Sequence, residues 1–531
     1  MIRKTAEPVF KPYVMGQVRL LPASYDEMIE PGHLVRVVND AIDQLDLSPL
    51  LAQYKGGGTS SYHPLMMLKV LVYAYTQKIY SSRQIAKALR ENIYFMWISG
   101  DNQPDFRTIN NFRSSRLKDV IDEVFAEVLE YLIEQGKVKL KHYFVDGTTI
   151  EANASKHKVV WAKSNAKYQK RVRQQIGELL NQIEAENDAE QAEYGEEDLE
   201  ERGGPGDEEL NSTELKARME KLNQRLREKG QTKPESKASR KALRKLEKDY
   251  LPRLERYEHQ AEVLGERSSY AKTDPDASCL RVKEDRGKEK PWPKPAYNVQ
   301  CGTEDQFIVG FSVHPQSSDT VCLIPHLEQV RKNTGGYLPQ KIVADAAYGS
   351  EENYAYLEEH HAESFLKYTT FYQDTHHYRD SEVLRAHQFR AEHFQYDPKT
   401  DTFFCPAGKS LKFQYASKKT TATGYVVEQR YYECGECADC PLKSQCTKAV
   451  GNREIHVSLR LLAYRKKARE NLTSEEGKQL RAKRSVEVES VFGHLKQNMG
   501  LRRFRLRGLE KVKTEFGLFS IAHNMKKMAA Q

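Results

Sequence analysis

The stretch Lys141-His142-Tyr143-Phe144-Val145-Asp146-Gly147-Thr148-Thr149-Ile150 decides how this chain folds. Aromatic and β-branched residues crowd around one aspartate, with glycine next, which predicts a strand that carries an acid. A second stretch repeats the pattern: Lys341-Ile342-Val343-Ala344 leads to Asp345 and then to Ala346-Ala347-Tyr348-Gly349, whose small residues leave room for a large ligand. A third acid, Glu489, lies in a basic, helix-patterned run from Arg484 to Lys496. Each acid alone has a plainer reading, because aspartates cap turns and helical glutamates pair with lysine or arginine. Together, two strand-end aspartates and one late helical glutamate are hard oxygen donors that suit two Mg²⁺ or Mn²⁺ ions. Such a pair serves in-line phosphoryl transfer, the chemistry of cutting and joining DNA.

Outward from these acids the pattern alternates. Strands are predicted at Ala296–Cys301 and Phe307–Val313, with Gly302-Thr303-Glu304-Asp305 as a hairpin turn. A helix over Asp319–Lys332, the Ile342-Val343 strand, a helix over Ser350–His361 and a strand near Ser364–Tyr368 follow. This order predicts an α/β unit, a mixed sheet with helices on its faces, spanning 136–163, 266–370 and 470–531. Residues 1–60 read as a tail closed by the joint Lys55-Gly56-Gly57-Gly58-Thr59. Residues 61–135 read as an all-α DNA-binding unit, its third helix turning Ile109 and Phe112 inward and Arg107, Arg113 and Arg116 outward.

Across residues 164–265 the composition becomes Lys, Arg, Glu and Gln with heptad-like apolar steps. Ile176, Leu179, Leu180 and Ile183 form one stripe, and Leu215, Met219, Leu222 and Leu226 another. Two antiparallel helices are predicted, joined through the acidic run Glu184–Leu210 and its Gly203-Gly204-Pro205-Gly206 turn, with a third around Leu243, Leu246 and Leu254. This coiled-coil-like insertion is either a solvated spacer or an arm that dimerises or reaches DNA.

At 531 residues, two to four domains are expected. The net charge of +8 averages over strong segregation: Arg481–Lys513 holds ten Lys/Arg against three Glu, a balance that suits a phosphate backbone or a solvated face. Arg502, Arg503, Arg505 and Arg507 belong to that run. The first residues have no apolar secretory region and no segment reaches membrane-spanning length, so a cytoplasmic location and no membrane partner are expected. The cysteines are then expected as thiols or metal ligands. Cys434, Cys437, Cys440 and Cys446, with Cys405 upstream, have the close spacing of a structural Zn²⁺ site; an iron–sulfur cluster and a metal-free thiol cluster are the alternatives. These lie in a second insertion, 371–469. Tyr368, Tyr372 and Tyr378 are either core or stacking residues.

These residues carry a family resemblance. The chain resembles bacterial insertion-sequence transposases of the DDE type, over most of its length. His63–Lys69 through Thr108–Arg113 is similar to the family's N-terminal helical domain. Asp146–Asn153 and Ala344–Gly349 resemble its two aspartate segments, Lys294–Gln300 its second strand, and Arg484 through Lys496 its final-helix signature. The resemblance implies a ribonuclease H-like catalytic fold. It implies Asp146, Asp345 and Glu489 as ligands of two ions, Arg484 and Lys496 against DNA, a bacterial, nucleoid-associated location and a Cys-rich insert that performs no chemistry. A homodimer on DNA is expected because two ends are joined. One departure is Ala482, where relatives often carry tyrosine. Glu487 is a rival third acid, and Glu151 an auxiliary or structural one. The competing functions are a metal-dependent nuclease without strand transfer and a catalytically silent DNA-binding protein.

Overall fold

The computed structural model describes residues 24–54, 61–194, 210–230, 237–282, 292–375 and 388–531. The Lys55–Thr59 joint, the Gly203–Gly206 turn and Tyr378 lie outside them, as does most of the acidic run. Eight strands matter for the site: β1 (His142–Glu151), β2 (Val159–Trp161), β3 (Ser269–Ala271), β4 (Ser278–Leu280), β5 (Lys294–Glu304), β6 (Phe307–His314), β7 (Lys341–Ala344) and β8 (Glu363–Leu366). β5 lies antiparallel to β1, from Phe144 opposite Thr303 to Glu151 opposite Ala296. β6 and β4 share the other edge of β5. β7 runs parallel to β1 with Val343 opposite Phe144, and β8 runs parallel to β7. Four antiparallel strands, β4 and β6 on one edge of β5 and β1 on the other, followed by two parallel ones, with helices on both faces, make a ribonuclease H-like unit. Helical regions surround it.

The β5–β6 turn is two residues, Asp305 and Gln306, both at positive φ (47° and 62°), and not the predicted Gly302–Asp305. Such primed turns match the twist of the strands they join. Gly302 instead sits inside β5, where an added Cβ would collide with the Tyr143 ring; Gly310 on β6 makes the same allowance. Tyr143 thereby reaches His326 Nε2 (2.7 Å) in the core. Glu304, nearly buried, accepts the backbone N–H groups of Lys139, Leu140, Lys141 and His142 at 2.6–3.0 Å and fixes the start of β1.

The predicted tail contains two helices, Leu34–Asp43 and Ser48–Leu51, the first with Val35, Val38, Ala41 and Ile42 buried. This replaces the expected tail, since these apolar residues recur at helical spacing and fill a core. Helices Pro64–Thr76, Ser82–Glu91, Ile93–Ile98, Phe106–Asn111 and Ile121–Glu134 complete the N-terminal region. Their apolar faces join the core of the sheet through the C-terminal helix Leu509–Ala529. Arg113 is a correction: it is 5% exposed and not outward. A π turn spans Phe112–Arg116; Arg113 stands four residues after the buried Ile109, on the same helix face, and so points inward. There it donates to the Tyr80 carbonyl (2.8 Å) and the Tyr75 hydroxyl (3.3 Å). Arg116 is half-buried and donates to the Gln53 carbonyl.

The insertion folds as helices Ala162–Tyr194, Ser212–Gly230 and Lys237–Leu264, the last interrupted by a π turn at Leu246–Tyr250. Ile176, Leu180, Leu215, Met219, Leu246 and Leu254 pack in a core of their own. The β2–β3 pair clasps its base. The second insertion is a five-stranded antiparallel sheet, also with its own core. Among the described residues no helix is long and apolar enough to cross a membrane.

Candidate active site

Asp146 lies in the middle of β1 and Asp345 one residue past β7. Each follows by two residues the Phe144–Val343 register pair, so both side chains leave neighbouring parallel strands at the same level and on the same face. Asp146 is nearly buried; its Oδ1 accepts from the Gly147 N–H (2.8 Å) and its Oδ2 faces Arg484 Nη1 (3.4 Å). Asp345 caps the short turn after β7, its Oδ1 accepting from the Ala347 N–H at 2.9 Å.

Arg484 ends the helix Glu475–Arg484, and a π turn over Ser485–Glu489 follows at once. In a continuous α-helix, positions 484 and 489 would lie about 140° apart. The i→i+5 bonding of a π turn brings residue 489 back nearly over residue 484. Glu489 is exposed, and the π turn sets it near the Arg484 position of the helix. Along the same run Phe492 is buried while Glu489 is exposed, and a second π turn spans His494–Asn498. Glu487 is 2% exposed, accepts the Gln306 N–H (2.6 Å) and pairs with Lys483 (3.4 Å). It ties this helix to the β5–β6 turn, and its oxygens are committed there.

Lys496 Nζ reaches the Thr149 carbonyl (3.4 Å) on β1. Arg503 donates to the carbonyls of Ala152 and Ala154, and Arg507 to that of Asn153, so the basic run clasps the segment leaving β1. Arg502 pairs with Gln497. Arg505 lies over the Tyr80 ring and against the buried Glu515 (3.6 Å). Burial raises the Glu515 carboxyl pKa, against the opposing pull of the Leu506 and Arg505 N–H groups it accepts. Arg107 is exposed and, with Arg83, flanks the Phe106 ring. A groove of about 580 Å³ runs between Phe106, Arg107, Ser82 and Arg505. Glu151 pairs with Lys294 (2.6 Å), the structural alternative of its two readings. Tyr368 is buried, whereas Tyr372 is exposed and hydrogen-bonded to Lys367 (3.0 Å); that bond first, with the charges of Lys367, Arg481 and Arg484, lowers its pKa.

One group was not anticipated. Asp319, Gln300 and Tyr348 lie behind the two aspartates. Burial, then the charges of Asp319, Asp146 and Asp345, raises the Tyr348 hydroxyl well above its ordinary pKa, so it remains a donor. The available signal was Asn298 and Gln300, two amides at period two inside an otherwise apolar strand.

The five insert thiols, Cys405, Cys434, Cys437, Cys440 and Cys446, line one cavity of about 20 Å³, room for a single small ion. None is in a disulfide. Burial pushes the Cys434 thiol up to about 11 and raises Cys446. Among the described residues no group of three or more His, Cys, Asp or Glu side chains is already arranged to hold a metal. The donors are of the expected types: five soft thiols line one cavity, and Asp146 and Asp345 are hard oxygen donors, the first of them facing the Arg484 guanidinium.

A family model described as transposase DDE domain matches residues 404–529. A second, described as transposase domain (DUF772), matches residues 23–115. The first takes in the thiols, Arg484, Glu489 and Lys496 but neither aspartate. No curated protein matches the chain.

Proposed function

We propose that this chain, an insertion-sequence transposase of the DDE type, cleaves DNA at element ends and joins the freed 3′-hydroxyls to target DNA. The observation that carries this reading is the pair Asp146 and Asp345, level on adjacent parallel strands, with the Arg484–Glu489 turn across Asp146. Asp146, Asp345 and Glu489 would hold two Mg²⁺ or Mn²⁺ ions, which when bound activate the attacking oxygen and stabilise the leaving one.

The remaining work falls to the chain's own side chains. Arg484 faces Asp146 Oδ2, helps orient it, and lies next to where a scissile phosphate would enter. Lys496 anchors to the edge of β1 and offers charge to the same strand of DNA. Arg107 and Arg505 supply phosphate-binding charge along the groove, and Arg502, Arg503 and Arg507 supply it from the run that clasps the end of β1; Arg113 is removed from that set because it is buried and bonded to Tyr80. The insert thiols would hold one structural Zn²⁺. Joining two ends calls for a dimer on DNA.

The test is cleavage and joining of a fragment with the element's ends, in Mg²⁺ or Mn²⁺, by wild type, Asp146→Asn and Asp345→Asn. Loss of both steps with DNA binding intact supports the reading. Cleavage without joining by the wild type would make the chain a nuclease. Binding without cleavage by a folded wild type would make it a DNA-binding protein.

A further inference from the structure

Asp319 opens the short turn, Asp319–Val321, that leads into the helix Leu323–Asn333. Its Oδ1 accepts two side-chain amides at once, from Asn298 and Gln300, each at 2.8 Å. Gln300 also donates to Asn298 Oδ1 (3.0 Å), and its own oxygen accepts from the Tyr348 hydroxyl. Tyr348 stands three residues after Asp345 and is fully buried. At the other end of the network lies Gly147, next to Asp146; a Cβ there would collide with Asp319 Oδ1 and Gln300 Nε2. The same turn braces the Asp345 segment a second time. Thr320 Oγ1 donates to the Ala347 carbonyl (2.6 Å), and Asn353 Nδ2 donates to the carbonyls of Thr320 (3.0 Å) and Tyr348 (2.8 Å).

Side-chain direction decides what this network can do. Gly147 is opposite Gln300, and Asp146 is opposite Cys301. Successive residues of a strand point to opposite faces, so the amide network lies on the reverse side of the sheet from the Asp146 carboxylate. Asp319 therefore meets the backbone that carries Asp146 and, through Gln300 and Tyr348, the segment that carries Asp345.

We propose that Asp319 is a positioning residue for the reaction: through Asn298, Gln300 and Tyr348 it fixes, from behind, the two backbone segments that present Asp146 and Asp345. This rests on the reading of those two aspartates as the reacting centre. A carboxylate that acts by accepting two amide hydrogen bonds is replaceable by an amide oxygen, whereas one that ligates a cation is not. Outer groups of this kind change metal affinity or activity by about 10–100-fold when removed.

The experiment compares full-length wild type, Asp319→Ala, Asp319→Asn and Tyr348→Phe for DNA-end cleavage across a Mn²⁺ titration. Mn²⁺ binding is followed directly by paramagnetic resonance, and folding by thermal melting. Asp319→Ala is expected to weaken Mn²⁺ binding and lower kcat by about tenfold or more with little change in KM for DNA. Asp319→Asn should stay near wild type in both. Tyr348→Phe, which keeps the ring and loses one donor, should shift both readouts the same way by a smaller factor, and it decides the matter if Asp319→Ala does not fold. The proposal is overturned if Asp319→Asn is as damaging as Asp319→Ala, which would make the charge itself the requirement. It is equally overturned if Asp319→Ala folds and binds Mn²⁺ as the wild type does. Cleavage that survives in Asp146→Asn would overturn the reading beneath it, and this proposal with it.

Discussion

The N-terminal helices and the helical insertion resemble each other in sequence in one respect: both repeat apolar residues at helical spacing. In the fold they differ. The N-terminal helices share one core with the sheet. Tyr75 and Tyr80 pack edge-on and tilted against Phe519, Phe125 meets Phe311, and the Tyr80 hydroxyl donates to the Met499 carbonyl. Gly517 on the C-terminal helix lets Ile121 come close. The insertion buries its stripes against itself and is attached through the short β2–β3 clasp. Helical periodicity gives the faces; aromatic residues and a helix glycine determine which faces are shared.

This contrast can be broken in four ways. The largest effect is expected from Phe519→Ala, which opens a cavity between the N-terminal helices and the sheet unit. It should cost about 3–5 kcal/mol and lower the melting of both in one transition; separate transitions would contradict the shared core. Leu246→Ala in the insertion should cost about 2–4 kcal/mol, seen as local exchange of insertion amides, with end cleavage retained. Acid should act on the sheet unit. Burial holds His314 and His523 down to about 4 and His326 to about 3, all below their ordinary 6.5. The unfolded chain therefore binds more protons as pH falls, and stability present above about 6.5 is lost toward pH 4. A melting temperature that rises over that window would be the wrong sign. The smallest change is Arg107→Ala: stability within about 0.5 kcal/mol and a salt slope of DNA binding reduced by about one. An unchanged slope would remove Arg107 from the interface.

Much of the site was legible because strands and their ends are local events. Val145-Asp146-Gly147 and Val343-Ala344-Asp345 announce themselves by composition, and their register follows from the β–α–β order. What was misread has identifiable causes. Gly302 resembles a turn glycine, yet its missing Cβ serves the Tyr143 ring from another strand. Arg113 shares the buried face of Ile109, four residues before it, and its charge alone suggested exposure; at Glu489 a π turn shifts the helix phase. Asp319 had no pattern of its own, since its meaning depends on two amides and a glycine brought from distant segments.

The central claim is that Glu489, not Glu487, is the third reacting acid. Its most direct test is to measure DNA-end cleavage and thermal melting side by side for Glu489→Gln and Glu487→Gln. The account predicts that Glu489→Gln melts like wild type and no longer cleaves. Glu487→Gln, which weakens the tie to Gln306 and Lys483, should melt earlier and still cleave. Cleavage by Glu489→Gln, beside a well-folded and inactive Glu487→Gln, would contradict it.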